Sequence, residues 1–147
     1  MDKSNDSLAV SLFSEILTVD QLARSTVAKA LPRGMELSHF LVLNHLAHTV
    51  TEKTPAQLAR VFHLTRGAMT NTLGKLEWAG WVHIRPDWDD ARRKLVSISP
   101  TGLSVRNAAV AAMTPLIADV VDKVGAERVR AALPVLRELR IRMSDAD

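Results

Sequence analysis

Carboxylates and arginines stand close together in residues 85–94, the stretch with the best candidate chemistry. Three aspartates, Asp87, Asp89 and Asp90, could bind Mg²⁺ or act in acid–base catalysis. Arg85, Arg92 and Arg93 flank them. This mixture favours ion pairs that shape a turn, because no second acidic cluster occurs at metal-ligand spacing. We therefore expect Asp90 to brace Arg92, and an enzyme using the aspartates is the weakest interpretation.

The remaining catalytic residue types form no recognisable site. Five histidines are present, but there is no HExxH motif, and His45 and His48, at i and i+3, supply too few ligands for a metal. There is no GxSxG motif, phosphate-binding glycine loop or dinucleotide fingerprint. The absence of cysteine excludes disulfides, thiolate metal sites and thiol redox switching. We expect a protein that is not an enzyme and needs neither cofactor nor metal.

Composition favours a helical protein and permits a nucleic-acid partner. Of 147 residues, 47% are apolar but only 4% aromatic, so the core must consist mainly of aliphatic side chains and Met. The net charge of +3 and pI of about 9.7 are compatible with DNA. Charge alone does not identify a DNA-binding segment, since residues 60–94 and 103–143 carry the same balance of basic and acidic residues. No signal-type segment or run of about 18 apolar residues occurs, so a cytoplasmic protein without membrane contact is expected.

A helix with one polar face is predicted from Thr65 to residue 79. Thr65 has the side chain of an N-cap, and Gly80 suits the left-handed residue after a helix. Met69, Leu73 and Leu76 recur at helical spacing and predict one buried stripe. The opposite face carries small, hydrogen-bonding or basic groups: Arg66, Gly67, Thr70, Asn71, Gly74 and Lys75.

A hairpin follows, with strands predicted at residues 81–85 and 95–98 around the charged loop 86–93. The major groove of B-DNA admits one helix, and an arginine-bearing hairpin can reach the minor groove or phosphates. A solvated helix and turn would be the ordinary alternative. The basic hairpin attached to the helix favours DNA binding.

This segment resembles the recognition helix and wing of the MarR family of winged helix-turn-helix regulators. The matching features are Leu64-Thr65-Arg66, the helix end Leu76-Glu77-x-x-Gly80, the tip Asp90-x-Arg92, and Val96-Ser97-Ile98-Ser99 before Gly102. Ala91 stands where the family commonly has the first of two arginines, so Arg92 and Arg93 both remain candidates for entering the groove. The resemblance implies a mainly α fold with a small two-stranded β wing, a homodimer, and in many members a small-molecule effector.

The first 62 residues are expected to contain three helices. Residues 1–6 are predicted to be disordered, followed by a long helix over residues 7–31 that ends before Gly34. Ser38 is the predicted N-cap of a second helix, residues 38–49. Thr54-Pro55-Ala56-Gln57 is a capping box with proline at the first position, and it opens a short helix to Phe62. Two short helices joined tightly are typical of a helix-turn-helix.

The C-terminal third predicts a dimer. Ser99-Pro100 opens a helix whose residues 103–124 are apolar around most of its circumference, Gly125 ends it, and a last helix covers residues 126–143. Other elements are too few to cover these surfaces in one chain, so a homodimer is favoured over a monomeric bundle. We expect residues 1–34 and 100–147 to form the helical dimerisation region, and residues 35–99 the winged helix-turn-helix DNA-binding lobe.

Together these features predict a homodimeric transcriptional regulator, most simply a repressor, that binds a palindromic operator through recognition helix 65–79 and wing 81–99. A winged-helix protein–protein interaction module is the main alternative. Arg24 and His39 are candidate ligands for a small aromatic or anionic effector, against solvated or structural roles. The candidate DNA contacts are Thr54, Gln57, Thr65, Arg66, Gly67, Thr70, Asn71, Lys75, Arg85, Asp90, Arg92, Arg93 and Lys94.

Overall fold

The computed structural model describes residues 3–145 and confirms the mainly α fold with a two-stranded β wing. The chain divides into two compact units, one reaching to Ala112 and the other beginning at Met113. The elements in order are α1 (Lys3–Ala30), α2 (Leu37–Ala47), α3 (Pro55–Val61), α4 (Arg66–Trp78), β1 (Val82–Pro86), β2 (Lys94–Ile98), α5 (Pro100–Val124) and α6 (Ala126–Ser144).

Helix α1 begins earlier than expected. The predicted disorder of residues 1–6 is wrong for residues 3–6, which form the first turn of α1, whereas residues 1 and 2 lie outside the described part of the chain. Asp6 places a carboxylate in this first turn, where the positive end of the helix dipole favours it. The polar character of the segment therefore suits a helix N-terminus as well as a disordered tail.

Helix α2 is capped by a different residue from the one predicted. Ser38 lies inside the helix, and Glu36 occupies the N-cap position. The backbone N–H of Glu36 donates a hydrogen bond to Nδ1 of His39, 3.1 Å away. An imidazole thus takes the position at which a capping box usually has Glu or Gln, and the helix starts at Leu37. This bond fixes His39, which is buried.

Helices α3 and α4 form the predicted helix-turn-helix. Thr54 caps α3 and Thr65 caps α4, each hydroxyl oxygen accepting a backbone N–H three residues on. His63, in the connection, has a positive φ of 51°. The buried stripe of α4 is confirmed as Met69, Leu73 and Leu76. The core around it includes Leu43, Leu46, Leu58, Val82 and Val96.

The wing is an antiparallel pair in which Val82 faces Ile98 and Pro86 faces Lys94. The strands lie close to their predicted positions. The backbone of Lys53 also pairs with Val96 through two hydrogen bonds of 2.7 and 3.0 Å. The loop before α3 is therefore attached to the wing.

Ser99 joins the wing to α5. Its hydroxyl donates to the carbonyl of Gly80 at 2.7 Å and accepts from the N–H of Gly102 at 2.9 Å. Gly80 has a φ of 78°, as the predicted left-handed residue after α4 requires. A Cβ on Gly102 would lie 1.9 Å from the carbonyl oxygen of Trp81, so the start of α5 needs glycine here.

The long helices leave many apolar side chains exposed. Helix α5 continues through Pro115, and Gly125, with a φ of 107°, separates it from α6. Exposed apolar residues occur on α1 (Leu8, Val10, Leu17, Val19 and Leu22), on α5 (Leu103, Leu116, Ile117, Val120 and Val124) and on α6 (Leu133, Val135, Leu136, Ile141 and Met143). Within residues 3–145 no helix is both long and apolar enough to span a membrane.

Candidate nucleic-acid interface

The outer face of α4 is open to solvent, as the spacing of its residues predicts. Arg66, Thr70, Asn71 and Lys75 are all exposed, while the apolar stripe on the other side is buried. At Gly74, a Cβ would meet no heavy atom within 4 Å. The face is therefore a ridge of polar groups with an uncovered backbone, which a ligand can approach closely.

A cleft of about 860 Å³ separates this ridge from the N-terminus of α3 and the wing. Eight of the thirteen predicted DNA contacts line it: Thr54, Gln57, Arg66, Thr70, Arg85, Arg92, Arg93 and Lys94. The others are the N-cap Thr65, three residues of α4 (Gly67, Asn71 and Lys75) and Asp90 of the wing loop. The fold thus brings residues separated by up to forty positions in sequence to one surface.

Cationic side chains outnumber carboxylates in the lining of the cleft, although Arg85, Arg92 and Arg93 are paired with carboxylates outside that lining. The lining contains six cationic side chains, from Arg60, Arg66, Arg85, Arg92, Arg93 and Lys94, against one carboxylate, that of Glu77. A concave surface lined by one sign of charge concentrates its field and attracts an oppositely charged partner. Arg60 was missed in the sequence because it lies on α3, whose outer face had no periodic basic pattern.

Thr54 and Gln57 bind each other at the α3 end of the cleft. The Thr54 hydroxyl oxygen accepts the Gln57 backbone N–H at 3.1 Å, and the Gln57 carbonyl Oε1 accepts the Thr54 N–H at 2.9 Å. These bonds use acceptor atoms of both side chains. The hydroxyl proton of Thr54 and the amide group of Gln57 remain suitable donors to a phosphate.

Two ion pairs organise the wing loop. Asp87, only 8% exposed, accepts bonds from Arg93 at 2.9 and 3.1 Å and from the backbone N–H of Asp89 at 3.0 Å. The Asp89 N–H, and then the Arg93 guanidinium, hold the pKa of Asp87 below its usual value. The predicted contact of Asp90 with Arg92 is present, through the Arg92 backbone N–H at 3.1 Å and a longer side-chain bond of 3.4 Å.

The three wing arginines differ in how firmly they are held. The side chain of Arg92 is 92% exposed, that of Arg93 56% and that of Arg85 37%. Arg85 is bound by the carboxylate of Glu52, whose hydrogen bond raises the pKa of Arg85, and lies 5.7 Å from the Trp88 ring. The sequence did not indicate Glu52, since it precedes Arg85 by 33 positions.

The two candidate effector residues have structural partners. Arg24 binds Asp20 one turn earlier on α1 at 3.0 Å. His39 is buried, bonded to Glu36, and its ring meets Trp81 edge-on at 6.4 Å. His39 lines a second, shallow cavity of about 540 Å³ together with Asn71, Lys75, Trp78 and Trp81, whereas Arg24 is not among its lining residues.

Within the described residues, no three His, Asp or Glu side chains come together where they could hold a metal ion. Asp87 and Asp90 instead accept hydrogen bonds from arginines and backbone N–H groups. The cationic and hydrogen-bonding side chains that line the cleft suit electrostatic attraction and hydrogen-bond donation to an anionic partner.

Comparison with known proteins identifies similar folds. A family model described as the MarR family matches residues 33–93. Solved structures similar along most of the chain include the transcriptional regulator BldR from Sulfolobus solfataricus (24% identity, 97% of this chain and 99% of that one covered, TM-score 0.81) and wild-type MarR from E. coli without ligand (24%, 87% and 96%, 0.75). A mutant MarR from E. coli complexed with operator DNA is also similar (23%, 95% and 99%, 0.77). None of the curated proteins matches the chain by sequence.

Proposed function

We propose that the chain is a member of the MarR family, whose model matches residues 33–93, and that the protein is a transcriptional regulator that binds double-stranded DNA. The observation that carries the proposal is the cleft between α3, α4 and the wing, lined by six cationic side chains and one carboxylate. DNA phosphates supply the complementary charge, and a duplex supplies grooves for the ridge of α4 and for the wing.

Helix α4 enters the major groove in this proposal. Asn71 can donate to and accept from adenine, and Arg66 can donate two bonds to guanine. Lys75 lies one turn after Asn71 and contacts a phosphate or base edge. Thr54 and Gln57 bind a backbone phosphate and set the position of the helix along the duplex.

The wing reaches the neighbouring minor groove or its phosphates through Arg92. Arg92 is the most exposed of the three wing arginines. Arg93 is held by Asp87, so it supports the loop while keeping part of its guanidinium at the surface. Lys94 adds charge at the start of β2.

We further propose that the protein is a homodimer and a repressor. The exposed apolar side chains of α1, α5 and α6 would be covered by a second copy, which buries surface that is costly to leave in water. Residues 1–34 and 100–147 then form the dimerisation region, and residues 35–99 the DNA-binding lobe. A two-fold dimer presents two recognition helices to a palindromic operator. Occupying such a site at a promoter would block transcription.

In this proposal, a small aromatic or anionic effector would occupy the shallow cavity beside α4. Trp78 and Trp81 line this cavity with their indole side chains, and Lys75 adds a positive charge. A ligand in this cavity would cover Asn71 and Lys75 and compete with DNA for them. The partners of His39 and Arg24 favour structural roles for these two residues.

A gel-shift titration tests the proposal. The full-length protein is mixed with labelled DNA from upstream of its own gene and with a scrambled duplex of equal length, between about 50 and 200 mM salt. We expect tighter binding to the upstream DNA and a linear fall of log affinity with log salt. Salt-insensitive binding, or no binding while an acidic protein is retained, would instead support a protein–protein interaction module.

A further inference from the structure

We propose that Glu52 is a positioning residue for the wing. Its ion pair with Arg85 supports the wing, and Arg85 therefore does not contact DNA. The inference rests on the proposed DNA-binding function. It assigns Arg85 a role different from that of Arg92, although both are basic residues on the same cleft.

The contact between the two side chains is extensive. Nη2 of Arg85 lies 2.7 Å from Oε1 of Glu52, and Nε lies 3.0 Å from Oε2 and 3.2 Å from Oε1. Nη1 donates to the carbonyl of Pro86 at 3.0 Å. Each of the three guanidinium nitrogens therefore has a protein acceptor, in the forked geometry that makes Arg–carboxylate pairs strong.

Glu52 also lies in the segment that connects the wing to α3. The next residue, Lys53, pairs its backbone with Val96 of β2, while the Glu52 side chain binds Arg85 of β1. Thr54 follows as the N-cap of α3. Three consecutive residues thus connect both wing strands to the start of the helix-turn-helix, one by a side chain and one by its backbone.

The surroundings of Arg85 reduce its availability to DNA. Its side chain is 37% exposed, and the Trp88 ring lies 5.7 Å from the guanidinium carbon. The Glu52 carboxylate neutralises its charge locally and would itself repel a phosphate. The contacts with Glu52 and Pro86 use three of the five guanidinium N–H donors, so a phosphate approaching Arg85 would have to compete with a carboxylate that already makes three hydrogen bonds to it.

The consequence for DNA binding is geometric. Arg92 lies on the loop that β1 and β2 carry, so the attachment of the strands sets its distance from α4. Binding groups must be held within about 0.5 Å of the productive position to act together, and supporting contacts provide that precision. A loose wing would still attract phosphates but would discriminate less between sequences.

Salt titrations of Glu52→Ala and Arg85→Ala test the assignment in the full-length protein. Each phosphate contact contributes about −0.9 to the slope of log affinity against log salt. Arg85→Ala is expected to leave the slope unchanged. Glu52→Ala is expected to steepen it by about 0.9, because the released Arg85 gains a phosphate, and to lower the preference for the operator over a scrambled duplex.

Asp20→Ala is the matched control, because it also removes a carboxylate that binds an arginine, but on α1. It should leave slope and preference as in the parent protein. A slope that becomes shallower by about 0.9 in Arg85→Ala, with no change in Glu52→Ala, would overturn the proposal and make Arg85 a DNA contact.

Hydrogen exchange of the protein without DNA tests the role of Glu52 in the wing separately from the proposed DNA binding. Backbone amides of β1 and β2 should exchange faster in Glu52→Ala and Arg85→Ala than in the parent, and those of α4 should not. Unchanged exchange in the wing would show that Glu52 does not hold it. A parent protein that binds no duplex would refute the proposed function, whereas the exchange result would still decide whether Glu52 positions the wing.

Discussion

Asp87 and Arg93 form an ion pair of 2.9 Å inside the wing loop, and the Asp87 carboxylate is almost fully buried. Arg92, one residue earlier, points its side chain into solvent with only a 3.4 Å contact to Asp90. The two adjacent arginines therefore have different environments. Arg93 closes the loop that carries Arg92.

Asp87→Asn should destabilise the folded protein at neutral pH but not in acid. The folded-state pKa of Asp87 is lowered, so its contribution is fully present above the ordinary carboxyl pKa of about 3.9 and is lost as pH falls through the lower folded value. Thermal unfolding of both proteins between neutral pH and strong acid measures this. A difference in melting temperature that stays constant over the whole range would contradict the assignment.

Arg92→Ala should weaken binding to operator and scrambled DNA alike and make the salt slope shallower by about 0.9, because one phosphate contact is lost. The exposed position of Arg92 means that folding should not change. Fluorescence anisotropy at several salt concentrations provides the measurement. Slopes that are equal in Arg92→Ala and in the parent would refute the wing assignment.

Asn71→Ala should mainly reduce sequence preference. Loss of a bidentate contact to adenine costs about 1–3 kcal/mol of discrimination at one base pair, while non-specific binding depends on phosphates and should persist. Affinities for the operator and for single-base variants of it measure the effect. If the affinity for the operator and the affinity for its single-base variants fell by the same factor, Asn71 would contact only the DNA backbone.

Gly74→Ala should separate stability from function. The site has room for a Cβ, and alanine favours a helix over glycine by about 1 kcal/mol, so the melting temperature should rise by about 3 °C. The added methyl group lies on the ridge proposed to meet DNA and should weaken operator binding. Gly102→Ala is the contrast. Its Cβ would overlap the Trp81 carbonyl, so this substitution should destabilise the folded protein by about 1–3 kcal/mol. Unimpaired operator binding by Gly74→Ala would place this part of α4 away from the duplex.

Leu136→Glu should convert the proposed dimer into monomers, because it places a charge among the exposed apolar residues of α6. Light scattering over a range of concentrations measures the mass. Val50→Glu is the control, since Val50 is fully exposed in the loop after α2. A parent protein that is already monomeric, or a dimer unaffected by Leu136→Glu, would argue against this surface.

Local signals in the sequence predicted much of the fold. The capping box from Thr54 to Gln57, the stripe of α4 and the left-handed Gly80 each depend on neighbouring residues, and all three were confirmed. The N-cap of α2 was wrong because a histidine replaced the usual acidic or amide partner. Propensity rules gave His39 no such role, although its ring nitrogen can accept the same bond.

The site was harder to predict where partners lie far apart in sequence. Glu52 and Arg85 meet only because the loop before α3 adds an edge to the wing, and the bridge between Lys53 and Val96 has no sequence motif. Within the wing loop, the short separation of Asp90 and Arg92 allowed their contact to be predicted. The tighter partnership of Asp87 with Arg93 depends on the hairpin turning back on itself, which spacing alone did not reveal.

The most direct test of the central claim is selection of bound duplexes from a random pool by the purified full-length protein. A two-fold dimer that presents α4 to successive major grooves should enrich an inverted repeat whose half-sites are centred about 10 base pairs, or a multiple of that, apart. Asn71→Ala should enrich the same repeat with one position in each half-site relaxed. If the duplexes bound by the parent protein showed no enriched sequence, this would contradict the claim that α4 and the wing recognise a DNA sequence.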